Sequence, residues 1–305
     1  MTASVFIDGA VGTTGLEIRE RLSGRSDFAL VALDEARRKD VAARREALND
    51  ADFVILCLPD DAAREAVALI DNPRTRVIDA SSAHRVAAGW TYGFAELGFD
   101  VAQAARVSNP GCYPTGFLAL VAPLVRAGLI PADWPLSVNA ISGYSGGGKA
   151  LIERFDAAPA LAFRDYGFTL AHKHLPEMQR HAGLAHAPVF APMVARAFRG
   201  MIVEVPLPVA AMPGRPGRAA MLDTLRATFD ASPVVRVHDD APDELLMAGD
   251  AAATDRLDLY VFASADGAQA RLVATLDNLG KGAGGAAVQN LNLMAGLDPV
   301  AGLLL

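Results

Sequence analysis

The chain has 305 residues, 52% of them apolar, and a formal net charge of −7 at pH 7. That length exceeds what one hydrophobic core usually sustains, so two domains are expected. No apolar run of about 18 residues is present to span a membrane, and with no basic run longer than Arg37-Arg38-Lys39 the charge pattern counts against a nucleic-acid surface.

Residues 5–8 read as a strand running into Gly9-Ala10-Val11-Gly12-Thr13-Thr14-Gly15 and then an amphipathic helix over 16–22. No basic leader or cleavage site precedes the strand, so a cytoplasmic setting is expected. Three glycines three apart suit a tight turn, close approach to a pyrophosphate and close helix–strand packing, with the phosphates at the helix N-terminus. The order is GxxGxxG rather than the standard GxGxxG, and an ordinary βα turn has the same composition. Context favours the nucleotide. Strands over 28–33, 51–58 and 77–79 alternate with helices over 41–48 and 61–70, which implies a parallel, doubly wound dinucleotide-binding (Rossmann) domain of the α/β class. Cys57 falls inside the third strand, which suits a reduced thiol better than a disulfide with Cys112. After the second strand, Asp34 suits a free ribose 2′-OH and Arg37, Arg38 and Lys39 suit a 2′-phosphate; three cations against one carboxylate favour NADP(H).

Ala80-Ser81-Ser82-Ala83-His84-Arg85 follows the fourth strand, at the end of the sheet where ligands collect, and Arg85 suits a substrate carboxylate or a solvated loop. Next comes Ser108-Asn109-Pro110-Gly111-Cys112-Tyr113-Pro114-Thr115. Pro110 and Gly111 force a turn, and Pro114 suits the first position of a helix, which places Cys112 just ahead of a helix N-terminus. Unpaired amides and the positive end of the helix dipole stabilise a thiolate there, so Cys112 is the candidate nucleophile.

A strand over 136–141 leads into Ser142-Gly143-Tyr144-Ser145-Gly146-Gly147-Gly148-Lys149, a glycine-dense loop able to present amides and Lys149 to an anion. It lacks the order of an ATP-binding P-loop. In His172-Lys173-His174-Leu175-Pro176-Glu177, Pro176 suits a helix start, and the H-x-H-x-x-E spacing matches no zinc pattern, so acid–base chemistry is favoured over a metal. Strands over 189–197, 201–205, 234–237, 257–263 and 271–276, with one helix over 218–231, predict a second, α+β domain with a mainly antiparallel sheet whose face suits a dimer. The tail, from Asp277-Asn278-Leu279-Gly280-Lys281-Gly282 into a helix over 288–295, has the small residues that permit close approach to a ligand or a neighbouring element.

Taken in order, the stretches 8–15, 81–85, 108–115, 142–149, 172–177 and 277–287 resemble the N-acetyl-gamma-glutamyl-phosphate reductases of arginine biosynthesis, in their shorter type, and more distantly the aspartate-semialdehyde dehydrogenases. The resemblance implies an NADPH-dependent acyl-phosphate reductase acting through a cysteine thioester. It makes Cys112 the nucleophile and His174 the acid–base residue, with His172 in the same motif. Gly9, Gly12, Thr13, Thr14, Gly15, Arg37, Arg38, Asn278 and Lys281 are implied for the cofactor. Ser81, Arg85, Asn109, Ser142, Gly143, Lys149, His172 and Glu177 are implied for the substrate, with no metal. An NADP-binding domain over 1–111, completed by 281–305, and a catalytic and oligomerisation domain over 112–280 are expected, in a homodimer or homotetramer. Aspartyl or aminoadipyl phosphate as substrate, or a non-catalytic NADP-binding protein, are the alternative readings.

Overall fold

The computed structural model describes residues 2–34 and 37–305; the side chain of Lys39, one of the three cations expected at the cofactor, lies outside the described residues. Two compact units divide the chain, Met1–Pro110 with Ala283–Leu303, and Gly111–Gly282 with Leu304–Leu305.

The first unit opens with β1 (Ala3–Asp8), α1 (Thr13–Leu22), β2 (Phe28–Val31), α2 (Val41–Asp50), β3 (Phe53–Leu56), α3 (Asp60–Ala68) and β4 (Arg76–Asp79). It adds β5 (Thr91–Tyr92) and β6 (Arg106–Ser108), which are too short to show a period in the sequence. The strands pair in parallel in the order β2-β1-β3-β4-β6-β5. From β1 the chain goes to β2 on one side and later to β3 on the other, so a crevice opens outside the carboxyl ends of β1 and β3, where doubly wound sheets bind ligands. β3 is apolar throughout, Phe53-Val54-Ile55-Leu56, as a strand covered on both faces has to be. At the mouth of the crevice Gly9 adopts φ +89°, and a Cβ there would lie 2.3 Å from the Cys57 carbonyl oxygen. A Cβ at Gly15 would lie 2.5 Å from the Gly9 carbonyl oxygen. The turn closes only because neither residue has a side chain.

The second unit holds α4 (Cys112–Arg126), β7 (Ser137–Gly143), α5 (Gly148–Ala157), β8 (Phe163–Asp165), α6 (Leu175–Ala182), β9 (Val189–Ala195), β10 (Met201–Leu207), α7 (Arg218–Phe229), β11 (Val235–Val237), β12 (Leu257–Ala263) and β13 (Ala270–Leu276). A π-helical turn, Gly280–Gly284, then leads into α8 (Gly285–Met294), which packs against α1 and β4 of the first unit.

The sheet of the second unit runs β11-β12-β13-β10-β7-β9-β8 and corrects the expectation of a mainly antiparallel one. It is mixed: β7 pairs with β9 in parallel, as does β11 with β12. Parallel neighbours need a long crossover, and α5 and α6 supply it between β7 and β9. In the sequence the start of that crossover is hidden, because α5 begins inside the glycine-dense stretch that reads as loop.

α4 is apolar on every side and covered on every side, by β10, β13, α6 and α7. Gly116 sets how closely it lies on the sheet, since a Cβ there would meet Val203 Cγ2 at 2.9 Å. Facing it, Met201, Val203, Val205 and Leu207 of β10 alternate inward with period two. Among the described residues no helix is long and apolar enough to cross a membrane. Phe117, fully buried at the centre of α4, is expected to cost about 3–5 kcal/mol of unfolding free energy as Phe117→Ala, read as a lower urea midpoint at unchanged m-value.

Candidate functional site

α4 begins at Cys112 itself, so Cys112 is the first helical residue and Pro114 the third, two residues deeper than the sequence suggested. Proline is tolerated there because first-turn amides have no intrahelical acceptor. The N-cap is Gly111, whose side chain offers no cap. Its own amide is used: Gly111 N donates to Glu177 Oε2 at 3.1 Å. Glu177 is the third residue of α6 and 1% exposed, and His174 is the N-cap of the same helix. One buried hydrogen bond therefore ties the turn carrying Cys112 to the turn carrying His174. Glu177, expected among the substrate contacts, has this partner inside the protein.

Around these two turns stands a group of rings. His172 and His174 meet edge to face with centroids 4.7 Å apart, and Tyr113 lies 6.2 and 5.9 Å from them. Phe190 closes the group 5.0 Å from His172, and Tyr166 packs 5.8 Å from it. The His174 amide donates to His172 Nδ1 at 3.2 Å, and Tyr113 Oη donates to the Met193 carbonyl at 3.1 Å. Burial, and next the Coulombic effect of neighbouring tyrosine and of the Cys112 sulphur, pushes the Tyr113 phenol well above its ordinary pKa. Tyr166 is raised too, chiefly by burial, with Cys112 adding to it. Both phenols therefore stand near Cys112 as neutral hydroxyls. The sequence assigned neither, although Tyr113 directly follows Cys112 in the 108–115 stretch.

The tail passes close to the same place. A Cβ on Gly282 would lie 3.0 Å from Cys112 Cβ, so only glycine lets the π-helical turn run past Cys112. That turn is held from Asp277, whose carbonyl accepts both the Gly280 and Gly282 amides while its side chain accepts Arg199 Nη1 at 2.9 Å. Lys281 is buried within it. Asn278 Nδ2 donates to Ser145 Oγ at 2.9 Å, and Asn278 Oδ1 accepts the Gly200 amide at 3.0 Å, so this side chain joins the 142–147 loop to the 197–200 turn. The amides of Gly143, Tyr144 and Ser145 likewise donate to the Gly200, Ala197 and Phe198 carbonyls. The anion-binding capacity expected of this loop is thus confined to its later part, where Lys149 is exposed in the first turn of α5. Ser142 is buried, with its hydroxyl on the Gly143 carbonyl.

In the first unit, Ser81, Arg85 and Asn109 are all buried. Ser81 Oγ donates to Asp79 at 2.7 Å, Arg85 Nε donates to the Asn109 carbonyl at 3.0 Å, and the Asn109 amide joins Ala283 and Asn290. These residues brace the loops around the ends of β4 and β6. A cleft of about 730 Å³ lies along the carboxyl end of β1, lined by Asp8, Gly9, Arg19, Leu33, Arg38 and Arg44 among others. α1 starts there with no side-chain cap on Gly12, leaving the first-turn amides, from Thr13 onward, without intrahelical acceptors. Of the expected cations Arg38 lines the cleft, whereas Arg37 pairs with Glu46 at 3.1 Å on the surface. Asp34 accepts the Arg37 amide at 2.8 Å. Arg19 and Arg44 were not foreseen; Arg44 pairs with Asp8 at 2.7 Å, and nothing in the local sequence links those positions. Among the described residues no group of three or more His, Cys, Asp or Glu is placed to hold a metal ion.

A parallel sheet with a glycine turn, and a helix headed by cysteine and tied to a histidine turn, define a semialdehyde dehydrogenase. Residues 4–105 match the family model of the semialdehyde dehydrogenase NAD binding domain and residues 112–278 that of its dimerisation domain. Solved structures agree on the fold: aspartate semialdehyde dehydrogenase II from Vibrio cholerae superposes with a TM-score of 0.70 at 16% identity, over 96% of this chain and 98% of that one. The Candida albicans aspartate semialdehyde dehydrogenase solved with NADP gives 0.64 at 12%, over 96% and 98%. In sequence the chain is 51% identical to N-acetyl-gamma-glutamyl-phosphate reductase 2 of Pseudomonas putida, covering 97% of each, and 49% identical to N-acetyl-gamma-glutamyl-phosphate reductase of Mesorhizobium japonicum, covering 97% and 100%. The chain belongs to the N-acetyl-gamma-glutamyl-phosphate reductase family.

Neither of the two cysteines is in a disulfide. Burial, then Asp79 and Asp8, pushes the Cys57 thiol up to about 12, which keeps it out of the reactive thiolate form at pH 8. Iodoacetamide at pH 8 is expected to label Cys112 and to reach Cys57 only after denaturation, as peptide mass mapping would show.

Proposed function

We propose that this chain reduces N-acetyl-gamma-glutamyl phosphate to N-acetylglutamate 5-semialdehyde, releasing phosphate and consuming NADPH, in arginine biosynthesis. The observation that carries the reading is the Glu177–Gly111 hydrogen bond. It ties the helix start that carries Cys112 to the helix start that carries His174, in a chain whose relatives bear this enzyme's name, and so supports a nucleophile and a proton carrier at those two positions.

Cys112 Sγ attacks the acyl carbonyl carbon, the carbon–oxygen bond to phosphate breaks, and phosphate leaves a thioester on Cys112. The first turn of α4 favours the negative charge that collects on the carbonyl oxygen. Bound NADPH supplies the hydride that reduces the thioester. His174 donates a proton to the oxygen that gains charge in that reduction and recovers it as the carbon–sulphur bond breaks, freeing the aldehyde. The protein offers what the cofactor needs: a tight glycine turn at the end of β1, the uncapped start of α1 and a guanidinium-lined cleft. Gly9, Gly12, Thr13, Thr14 and Gly15 hold the pyrophosphate, and Arg38 takes the 2′-phosphate. Asn278 and Lys281 shape the turn beside Cys112, while the exposed Lys149 serves the substrate's anionic groups. The outer face of the mixed sheet, with Ile202, Tyr260 and Phe262 half-buried, forms the contact of a homodimer or homotetramer. The setting is the cytoplasm.

The test is phosphate-dependent oxidation of three semialdehydes, N-acetylglutamate, aspartate and aminoadipate, each with NADP and with NAD. The acetylated substrate with NADP is expected to give the highest kcat/KM; preference for either other aldehyde would replace the substrate assignment. Cys112→Ser should lose turnover while keeping its far-UV spectrum, and His174→Asn should slow it about 100-fold or more. A comparable loss confined to His172→Asn would move the proton carrier to that residue.

A further inference from the structure

The chemistry above uses Cys112 and His174 and leaves the Tyr113–Tyr166–His172 group without a task. Its hydrogen bonds have a direction. A backbone N–H only donates, so the His174 amide, 3.2 Å from His172 Nδ1, requires a lone pair on that nitrogen. The proton of the neutral His172 ring then sits on Nε2. At the other end Tyr113 Oη donates to the Met193 carbonyl, which only accepts, so the Tyr113 hydrogen is spent. Tyr166 Oη stands between, 3.5 Å from Tyr113 Oη and 3.5 Å from His172 Nε2. It can satisfy both neighbours in one way only, donating to Tyr113 and accepting from His172.

Tyr166 is held for this task from its other sides. Its ring packs against the apolar cluster of Leu151, Phe155 and Val194, and the Arg164 guanidinium covers it 4.3 Å from the centroid. Burial keeps the phenol protonated, as a donor must be. The opposite edge of the relay also matters, because the His172 ring forms one wall of the His174 ring and takes the His174 amide.

We propose that Tyr166 is a positioning residue that fixes His172 as the neutral Nε2–H tautomer, so that His172 orients His174 and takes no proton itself. The inference rests on the reading of Cys112 and His174 given under Proposed function, and deepens it by dividing the labour between the two histidines.

The test uses full-length protein labelled with 15N-histidine, its six histidines resolved by long-range proton–nitrogen correlation, with the His172 signals assigned by their loss in His172→Gln. The wild type is expected to show His172 as a single Nε2–H tautomer at neutral pH. Tyr166→Phe, which removes one oxygen, should turn it into a mixture of tautomers and lower kcat about tenfold through loss of orientation, with the NADPH KM changed by less than about twofold. A His172 that is protonated or carries its hydrogen on Nδ1 in the wild type overturns the proposal, as does a Tyr166→Phe protein with unchanged tautomer and unchanged kcat. Should Tyr166→Phe fail to fold, the wild-type spectrum alone decides. That spectrum needs no turnover, so failure of the reductase reading, seen as an active Cys112→Ser, is told apart from failure of the relay.

Discussion

The arrangement of Cys112 and His174 in the second unit depends on one hydrogen bond, from the Gly111 amide to the Glu177 side chain. A helix start needs partners for its leading amides, and the N-cap amide is ordinarily met by a Glu or Gln at the third position of the same helix. In α4 that position is Pro114, which has no such group to offer. The Gly111 amide is satisfied instead by a carboxyl group on a second helix, where a buried, unmatched amide would cost about 1–3 kcal/mol. The two helix starts are thereby fixed to each other, and the residues they carry, Cys112 and His174, are fixed with them.

The same economy appears in the first unit with backbone in place of side chains. Gly9, at positive φ against the Cys57 carbonyl, lets β1 end close beside β3 and leaves the start of α1 open at the crevice. Gly282 does for the tail what Gly9 does for the turn, admitting the π-helical segment to within contact of Cys112. In both places the missing Cβ permits a close approach within the protein, because a methyl group would run into the Cys57 carbonyl at Gly9 and into Cys112 at Gly282.

Polar residues that look like ligands in the sequence are in many cases structural. Asn109, Ser81, Arg85 and Asn278 spend side-chain hydrogen bonds on carbonyls, amides or other side chains of the protein. Buried polar groups must be matched, and loops as glycine-rich as 142–148 have few apolar contacts to define them. Hydrogen bonds from conspicuous polar residues do that instead. Such residues shape the loops around the site.

By itself the sequence determined what is local. Alternating strands and helices with a glycine turn define a parallel nucleotide-binding sheet, because βα periodicity and the turn are encoded within a few residues of each other. A proline-bounded cysteine before an apolar run marks a helix start, displaced by two residues from where Pro114 alone would set it, because any first-turn position tolerates proline. What tertiary structure alone decided is what depends on partners distant in the chain. The mixed sheet follows from a crossover whose helix begins inside a loop-like stretch. Arg44 reaches the cleft because it pairs with Asp8, 36 residues away. Glu177 finds Gly111 across 66 residues and Tyr166 finds Tyr113 across 53. No period or motif records such meetings, since they are set by how α4, α6 and the sheet pack and not by the chain on either side.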